Sequence, residues 1–438
     1  METYSLIIGI SGIIIISFLF NIISKKTNIP SVLLLIILGV VIQQFVPEKW
    51  NTDEYADLDT LEIIGNIGLV MIVLEAALDL KLAKEKMGLI INSFLVALVA
   101  LVLSSAAIGA IIYFMVPNAD TFLKSLTYAV PLSIMSSAII IPSVGGLTGM
   151  KKEFMVYEST FSDILGIMAF YFLIGAEEGE TGGEIALSIV LNILVTVVVS
   201  IILAYVLTYI FQKLKSQVKL FLIISLLMLM YALGKKLHLS SLLIILAFGL
   251  VLNNTQLFFR GRLEKYMNEE KVKPIMHDFH ILTLESAFVI RTFFFVLFGM
   301  FITLDTIFNL NVTLVSLAIL GALFGVRFLV LKLIVRTDIV PQLFLAPRGL
   351  ITILLFFVIG AHPSFVIKDF NPGILLFVIM ISSLIMTWAL IRYRGQKVAD
   401  VIFSQLPGKR IDEDNDGIND ASEDDVETNV EKQDFNNF

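Results

Sequence analysis

The stretch Tyr157-Glu158-Ser159-Thr160-Phe161-Ser162-Asp163-Ile164-Leu165-Gly166 places two carboxylates in an otherwise apolar run that ends near Ala176. An apolar run of this length is typical of a membrane-spanning helix. Ionisable side chains are costly inside a membrane, so their presence there indicates a functional site. On a helix, Glu158 and Ser162 share one face, and Asp163 lies about 100° further round. We therefore predict a structural network on the first face and a cavity-facing role for Asp163.

The composition of the whole chain is that of a helical membrane protein. Of its 438 residues, 57% are hydrophobic and 16% are charged, the mean hydropathy is +0.91, and the apolar residues lie in long blocks. Cysteine is absent, which excludes disulfides and thiolate metal sites. The first apolar run, from Tyr4 to Ser24, lacks the features of a cleaved signal peptide. We expect lipid surroundings, and neither a nucleic-acid partner, an enzymatic site nor a cofactor.

The length of the apolar runs predicts an all-α protein with about thirteen transmembrane helices. These helices are expected to begin near Tyr4, Pro30, Leu61, Leu89, Phe122, Met155, Ile185, Leu220, Leu239, Phe279, Val312, Leu343 and Gly373. Residues 1–395 would then form one membrane domain with six spans in 4–176, a linker helix in 185–212 and six spans in 220–395. Because a single linker span separates the two halves, the second half has the opposite orientation in the membrane. This arrangement is the inverted repeat common in secondary transporters.

The basic residues in the connections predict the orientation, because cytoplasmic loops are enriched in lysine and arginine. Alternate connections carry most of them: Lys25, Lys26, Lys81, Lys84, Lys86, Lys151, Lys152, Lys213, Lys215, Lys219, Arg260, Arg262, Lys265, Lys271, Lys273, Lys332, Arg336, Arg392, Arg394 and Lys397. The other connections are mostly acidic or neutral. This pattern predicts an external N-terminus and a cytoplasmic C-terminus in the plasma, or inner, membrane.

The fifth span of each predicted half is irregular. The first reads Pro131-Leu132-Ser133-Ile134-Met135-Ser136-Ser137-Ala138-Ile139-Ile140-Ile141-Pro142-Ser143-Val144-Gly145-Gly146, and we expect its mid-span proline to loosen the helix. The second reads Leu343-Phe344-Leu345-Ala346-Pro347-Arg348-Gly349-Leu350-Ile351-Thr352. Interruptions at matching positions of two halves indicate a binding site at the midplane. We expect the two broken helices to cross there.

A lone buried carboxylate such as Asp163 binds either a proton or a small monovalent cation, since protonation removes the charge that attracts the cation. Competition at one site, combined with alternating access, produces obligatory exchange. A buried arginine needs an acidic partner, and the candidates are Arg291 and Arg348. We prefer Glu158 with Arg348, which leaves Asp163 as the exchanging group. In the alternative interpretation, Asp163 and Glu158 have a structural role only: they pair with buried arginines and hold helices together.

Several further polar residues have two interpretations. Glu75 and Asp79 could form an accessory cation site at a cytoplasmic mouth, or they could be interfacial side chains that extend to water. Ser137, with Ser136 and Thr352, could supply oxygens to an ion, or these hydroxyls could bond backbone carbonyls.

These motifs resemble those of a known family. Glu158-Ser159-Thr160-Phe161-Ser162-Asp163 resembles the Glu-Ser-x-x-Asn-Asp signature of monovalent cation/proton antiporters, among them the sodium/proton exchangers, with Ser162 in place of the asparagine. Ala346-Pro347-Arg348-Gly349 is similar to their arginine-glycine motif, Arg291 to a basic residue two spans earlier, and Asn28-Ile29-Pro30-Ser31-Val32 to the start of their second span.

The resemblance covers about residues 4–395. It implies a homodimer, with a dimerisation domain and a mobile core domain that moves like an elevator. It implies that Asp163 is the carboxylate shared by cation and proton. We place Ser162 and Ser137 beside it as further candidate ion-binding residues. The resemblance also implies a structural pair of Glu158 with Arg348, as in electroneutral members. Sodium is the expected cation.

The chain departs from the sodium/proton pattern in the first broken helix. Many sodium/proton members have Thr-Asp-Pro there, where this chain has Ile140-Ile141 before Pro142. Ser136-Ser137-Ala138-Ile139 is more similar to the Ser-Ser-Thr-Ala of the potassium-efflux branch. The alternative function is therefore a K⁺/H⁺ antiporter or K⁺ efflux system. A cation channel or a sensor with the same fold is a second class.

Residues 396–438 form a polar, acidic segment, predicted to be cytoplasmic. Positions 412–423 match the spacing of an EF-hand calcium loop. Its oxygen ligands would come from Asp412, Asp414, Asp416, the Ile418 carbonyl, Asp420 and Glu423. Flanking amphipathic helices are missing from the sequence, so a disordered acidic tail is the other interpretation. With a calcium loop in this segment, the protein would bind Ca²⁺ in addition to the transported cation and proton.

Overall fold

The computed structural model describes residues 3–27, 29–45, 58–82, 84–147, 149–175, 195, 198–206, 219–236, 241–259, 269–300, 309–336, 339–360 and 362–404. In these residues the secondary structure consists of α-helices and short 3-10 turns, so the predicted all-α class is confirmed. The chain divides into a unit of residues 1–390 and a unit of residues 391–438. Only 391–404 of the second unit are described, and they are helical.

The helices begin close to the predicted positions in most spans. They are α1 (Thr3–Thr27), α2 (Ser31–Phe45), α3 (Leu58–Asp79), α4 (Met87–Met115), α5 (Phe122–Ser133), α6 (Ser137–Ser143), α7 (Gly149–Gly175), α8 (198–206), α9 (Lys219–Lys236), α10 (Ser241–Asn253), α11 (Thr255–Phe258), α12 (Glu269–Met300), α13 (Leu310–Ile334), α14 (Leu350–Gly360) and α15 (Gly373–Ser404). Within the described ranges, seven segments are long and apolar enough to cross a membrane, and further apolar helices are shorter. The count of thirteen and the inverted repeat stay predictions.

Helix α4 shows why these sequences adopt helices. It runs for 29 residues without a charged side chain, which gives a length of about 43 Å. In lipid, every backbone N–H and C=O group needs a partner within the protein, and a helix supplies these partners along its own chain. The packing faces of α4 are lined by small residues such as Ser93, Ala97 and Ser104, which are buried against neighbouring helices.

The first broken helix is interrupted between its two prolines. Residues 134–136 are unwound between α5 and α6, whereas Pro131 and Pro142 each lie in the last turn of a helix. The N–H that Pro131 lacks would have bonded the Thr127 carbonyl, so this proline weakens the last turn of α5 just before the unwound residues. The expected irregularity of this span is therefore present, and it lies just beyond Pro131. The break depends on contacts from α7, described below.

The second broken helix has the predicted interruption. A 3-10 turn at Gln342–Phe344 is followed by a non-helical segment at 345–349, and α14 begins at Leu350. Arg348 thus lies in an unwound segment, and its side chain is buried.

Connections that were predicted to lie on the same side of the membrane contact one another. Lys86 forms an ion pair with Glu153, and Lys151 donates to the carbonyl of Val340, so connections after α3, α6 and α13 share one end. Asn118 donates to Asp369, which joins the connection after α4 to that before α15 at the other end. Which end faces the cytoplasm stays a prediction.

Helices α2 and α12 cross in backbone contact at two glycines. A Cβ atom on Gly39 would lie 2.1 Å from the Val296 carbonyl oxygen, and one on Gly299 would lie 2.2 Å from the Ile36 carbonyl oxygen. Small residues permit such close approach between membrane helices. The crossing therefore depends on both glycines.

We expect Gly39→Ala to destabilise the protein, because the added methyl group must push α12 away from α2. The cost should be about 1–3 kcal/mol, as for overpacking elsewhere. Thermal unfolding in detergent measures it as a lower melting temperature. Gly12→Ala in α1 is the matched control, because nothing lies within 4 Å of the added atom. Equal melting temperatures for the two variants would contradict the proposed tight crossing.

Candidate ion-binding site

The unwound segments of the two broken helices are in direct contact. The main-chain N–H of Ser136 donates to the carbonyl of Pro347 at 2.9 Å. Gly349 permits the approach, since a Cβ atom there would lie 2.6 Å from the Ser136 hydroxyl oxygen. The predicted crossing is thus present, and its contact is made by main-chain groups.

Helix α7 satisfies the main-chain donors that the first break leaves free. The Met135 N–H donates to the Ser162 hydroxyl at 2.9 Å, and the Ser137 N–H donates to Asp163 Oδ2 at 3.0 Å. Unpaired buried N–H groups cost free energy, so these two side chains make the unwound conformation stable. The Ser-Asp pair of α7 therefore holds the first broken helix open next to the crossing.

Asp163 is 3% exposed, and one of its two carboxylate oxygens has no hydrogen bond among the described residues. Oδ2 accepts the Ser137 N–H, whereas Oδ1 is buried and has no hydrogen-bond partner among the described residues. Leaving a buried carboxylate oxygen without a partner is unfavourable. A proton or a small cation at Oδ1 would remove that cost. The main-chain N–H of Ser137 thus fixes one side of the Asp163 carboxylate.

Glu158 pairs with Arg327 of α13, so the expected pair with Arg348 was wrong. Arg327 Nη1 and Nη2 donate to the two carboxylate oxygens at 2.6 and 3.0 Å, and both residues are buried. Arg327 Nε also donates to the carbonyl of Gln342 at 3.0 Å. Arg327 therefore links α7 to the start of the second broken helix. The bidentate geometry suits a guanidinium and a carboxylate, and it stabilises a buried pair.

Arg348 bonds to main-chain carbonyls of both breaks. Its Nε donates to Leu132 at 2.9 Å, Nη2 to Ser133 at 3.4 Å and Nη1 to Ala346. The expectation of a direct acidic partner failed because free carbonyls at the end of α5 are themselves good acceptors, and they carry the negative end of the helix dipole. Arg348 lines one small cavity together with Glu158, Ser162 and Arg327. The charged side chains of Glu158, Arg327 and Arg348 thus lie around the same cavity.

Reasoning from sequence missed Arg327, although a signal was available. It lies in Leu323-Phe324-Gly325-Val326-Arg327-Phe328-Leu329, inside the apolar span that became α13. The rule that identified Asp163, that a charge inside a span is functional, applies equally to this arginine. Lys332 lies in the last turn of α13 and Arg336 just beyond its end, whereas Arg327 lies further inside the span.

Arg291 and Glu75 form a second ion pair, between α12 and α3. The distance from Arg291 Nη2 to Glu75 Oε1 is 3.0 Å, and Glu75 is 8% exposed. This pairing reduces the negative charge that Glu75 could offer to a cation. Asp79 ends α3, and its side chain lies outside the described residues. The calcium-loop positions 412–423 also lie outside them, and the rest shows no cluster of three metal-ligating acids or histidines.

Comparison with known proteins agrees with this architecture. Residues 13–392 match the family model for the sodium/hydrogen exchanger, transmembrane. The fold is similar to that of the sodium proton antiporter MjNhaP1 from Methanocaldococcus jannaschii at pH 8, with a TM-score of 0.66 and 19% identity over 93% of this chain and 100% of that one.

A second structure, from an electron-microscopy map of MjNhaP1, gives a TM-score of 0.63 and 18% identity over 94% of this chain and all of the other. The curated proteins include no match to this sequence. The family match covers most of the chain, and the fold agrees with it. This chain is therefore a multi-pass membrane protein that belongs to the sodium/hydrogen exchanger family of cation/proton antiporters.

Proposed function

We propose that this protein exchanges Na⁺ for H⁺ by alternating access, with Asp163 as the group that carries either ion. The observation that carries this proposal is the buried carboxylate of Asp163, with Oδ1 free of hydrogen bonds at the crossing of two broken helices. Protonation and cation binding exclude each other at one carboxylate. A cation can therefore cross only when the proton has left.

The other charges near the site support electroneutral exchange. Among the described carboxylates there, Glu158 is paired with Arg327 and Glu75 with Arg291, which leaves Asp163 as the one that can change its charge. One Na⁺ replaces one H⁺ on that carboxylate. The charge of the loaded site is then the same in both directions of transport, and membrane voltage does no net work on the cycle.

The cation is proposed as sodium, with potassium as the alternative. Sodium is supported by the family match and by the fold shared with a sodium proton antiporter. Potassium is supported by the first break, where Ser136-Ser137-Ala138-Ile139 is similar to the Ser-Ser-Thr-Ala of the potassium-efflux branch and Ser137 contacts Asp163. Selectivity depends on the size of the cavity and on the field of its ligands.

Transport in proteoliposomes tests the proposal. A pH-sensitive dye inside the vesicles should report a pH change when Na⁺ is added outside. The initial rate should saturate as the Na⁺ concentration increases, and a membrane voltage imposed without K⁺ should not change it. A larger response to K⁺ would replace sodium by potassium. A rate that follows voltage would contradict electroneutrality. Non-saturating conductance at single-channel rates would indicate a channel.

The same proposal places the protein in the plasma, or inner, membrane as a homodimer, with its N-terminus outside. Helix α1 carries many exposed apolar residues, which need either lipid or a second subunit as surroundings. Crosslinking in native membranes would distinguish the two surroundings.

A further inference from the structure

We propose that Ser382 of α15 is a positioning residue for the cation site, acting through the peptide group that joins Pro347 to Arg348. This inference rests on the proposed exchange of a cation at Asp163. Ser382 is fully buried on α15, a helix that contributes none of the charged residues of the site described above, which are Glu158, Asp163, Arg327 and Arg348.

The Pro347–Arg348 peptide group is held from both sides. Its carbonyl oxygen accepts the N–H of Ser136 in the first break, and its N–H donates to the Ser382 hydroxyl at 3.1 Å. The N–H and C=O of one peptide are coplanar, so a partner on one side sets the direction of the other. Ser382 thus orients the carbonyl that connects the two broken helices.

The Ser382 hydroxyl is itself fixed in this role. Its hydrogen is donated to the Ile379 carbonyl at 3.1 Å, which leaves the oxygen lone pairs to accept the Arg348 N–H. An arginine N–H in an unwound, buried segment has no helical partner to replace this acceptor. Removal of the hydroxyl would leave the N–H unsatisfied and would free the peptide to rotate.

Rotation of the Pro347–Arg348 peptide would affect the Asp163 carboxylate through two neighbouring residues of the first break. Ser136, which donates to Pro347, is followed directly by Ser137, whose N–H donates to Asp163 Oδ2. A shift at Ser136 therefore changes the direction of the bond that orients the carboxylate. Binding groups must be held to within about 0.5 Å of their working geometry. The expected result is weaker cation binding with little change in the maximal rate.

The neighbouring residue supplies a matched control. Ser383 is also fully buried on α15, but its hydroxyl has no hydrogen-bond partner among the described residues. Ser383→Ala removes the same atom from the next position of the same helix. Any loss that follows merely from a smaller buried side chain on α15 should appear equally in both variants.

Dye-monitored Na⁺/H⁺ exchange in proteoliposomes, with Na⁺ varied, is the test. Ser382→Ala should raise the apparent KM for Na⁺ about fivefold or more, as expected for one unmade buried hydrogen bond. Its maximal rate should change little, and Ser383→Ala should retain the wild-type KM. A Ser382→Ala protein with a lower melting temperature but an unchanged KM would overturn the proposal, as would equal KM values in the two variants.

Ser382→Cys serves if the alanine variant does not fold. Its thiol fills the space but is a weak acceptor, so the KM should rise by an intermediate amount. An unchanged KM in a folded cysteine variant would also reject the role of Ser382. The wild-type protein is measured in the same vesicles. Absence of exchange there refutes the proposed function itself, whereas exchange with an unaltered KM in the variants refutes only the positioning role.

Discussion

Asp163→Asn should abolish cation-dependent proton movement while leaving the protein folded. The asparagine oxygen can still accept the Ser137 N–H, so the support of the first break is retained. The variant loses the negative charge and the ability to take up a proton at this position. In everted vesicles, a pH-sensitive dye should show the background response of vesicles that lack the protein, at every Na⁺ concentration.

An exposed acid provides the control for this result. Asp278 lies on α12 at the protein surface, and Asp278→Asn makes the same chemical change away from the crossing. It should retain exchange. The melting temperature of Asp163→Asn should remain within the range of wild type, which separates loss of transport from loss of fold. Retained exchange in Asp163→Asn would contradict the assignment of Asp163 as the group that carries the cation and the proton.

Glu158→Gln is expected to destabilise the protein severely. The substitution leaves the buried guanidinium of Arg327 without its bidentate partner. Breaking one side of a buried ion pair costs about 3–5 kcal/mol, because the remaining charge is uncompensated. Thermal unfolding in detergent should show this loss as a large decrease in melting temperature. Transport per folded molecule should decrease much less than it does in Asp163→Asn.

Two comparisons test the partner of Glu158. The double variant Glu158→Gln with Arg327→Gln should recover part of the lost stability, since no buried charge is then left unpaired. The same change combined with Arg348→Gln should recover none, because Arg348 bonds to carbonyls of both breaks. Glu153→Gln on the same helix is the control: its pair with Lys86 is half-exposed, and its loss should have little effect. A stable Glu158→Gln protein would contradict the structural role.

The pair at Glu75 shows a further limit of reading acids from sequence. Spacing along α3 was compatible with an accessory cation site or with an interfacial residue. The contact with Arg291, 216 positions later in the chain, shows a third arrangement, a largely buried ion pair between α3 and α12. Sequence separation of this size carries no information about distance, so only packing of the two helices could reveal the partner.

Sequence by itself determined the class of the protein, the location of most of its helices and the two interrupted helices, and it predicts Asp163 as the exchanging carboxylate. These features are local: apolar runs need helices in lipid, and a charge within such a run is costly wherever the run packs. The partners were decided by the tertiary structure. Which arginine reaches Glu158, and what Arg348 bonds to, depend on how α13 and the breaks lie beside α7.

The position of the first break was decided in the same way. Prolines at 131 and 142 predicted an irregular span, and the chain unwinds between them at 134–136. There, Ser162 and Asp163 replace the lost helical acceptors of Met135 and Ser137, and Pro347 accepts from Ser136. Helices open where other elements can satisfy the freed donors, and the sequence of one helix does not contain that information.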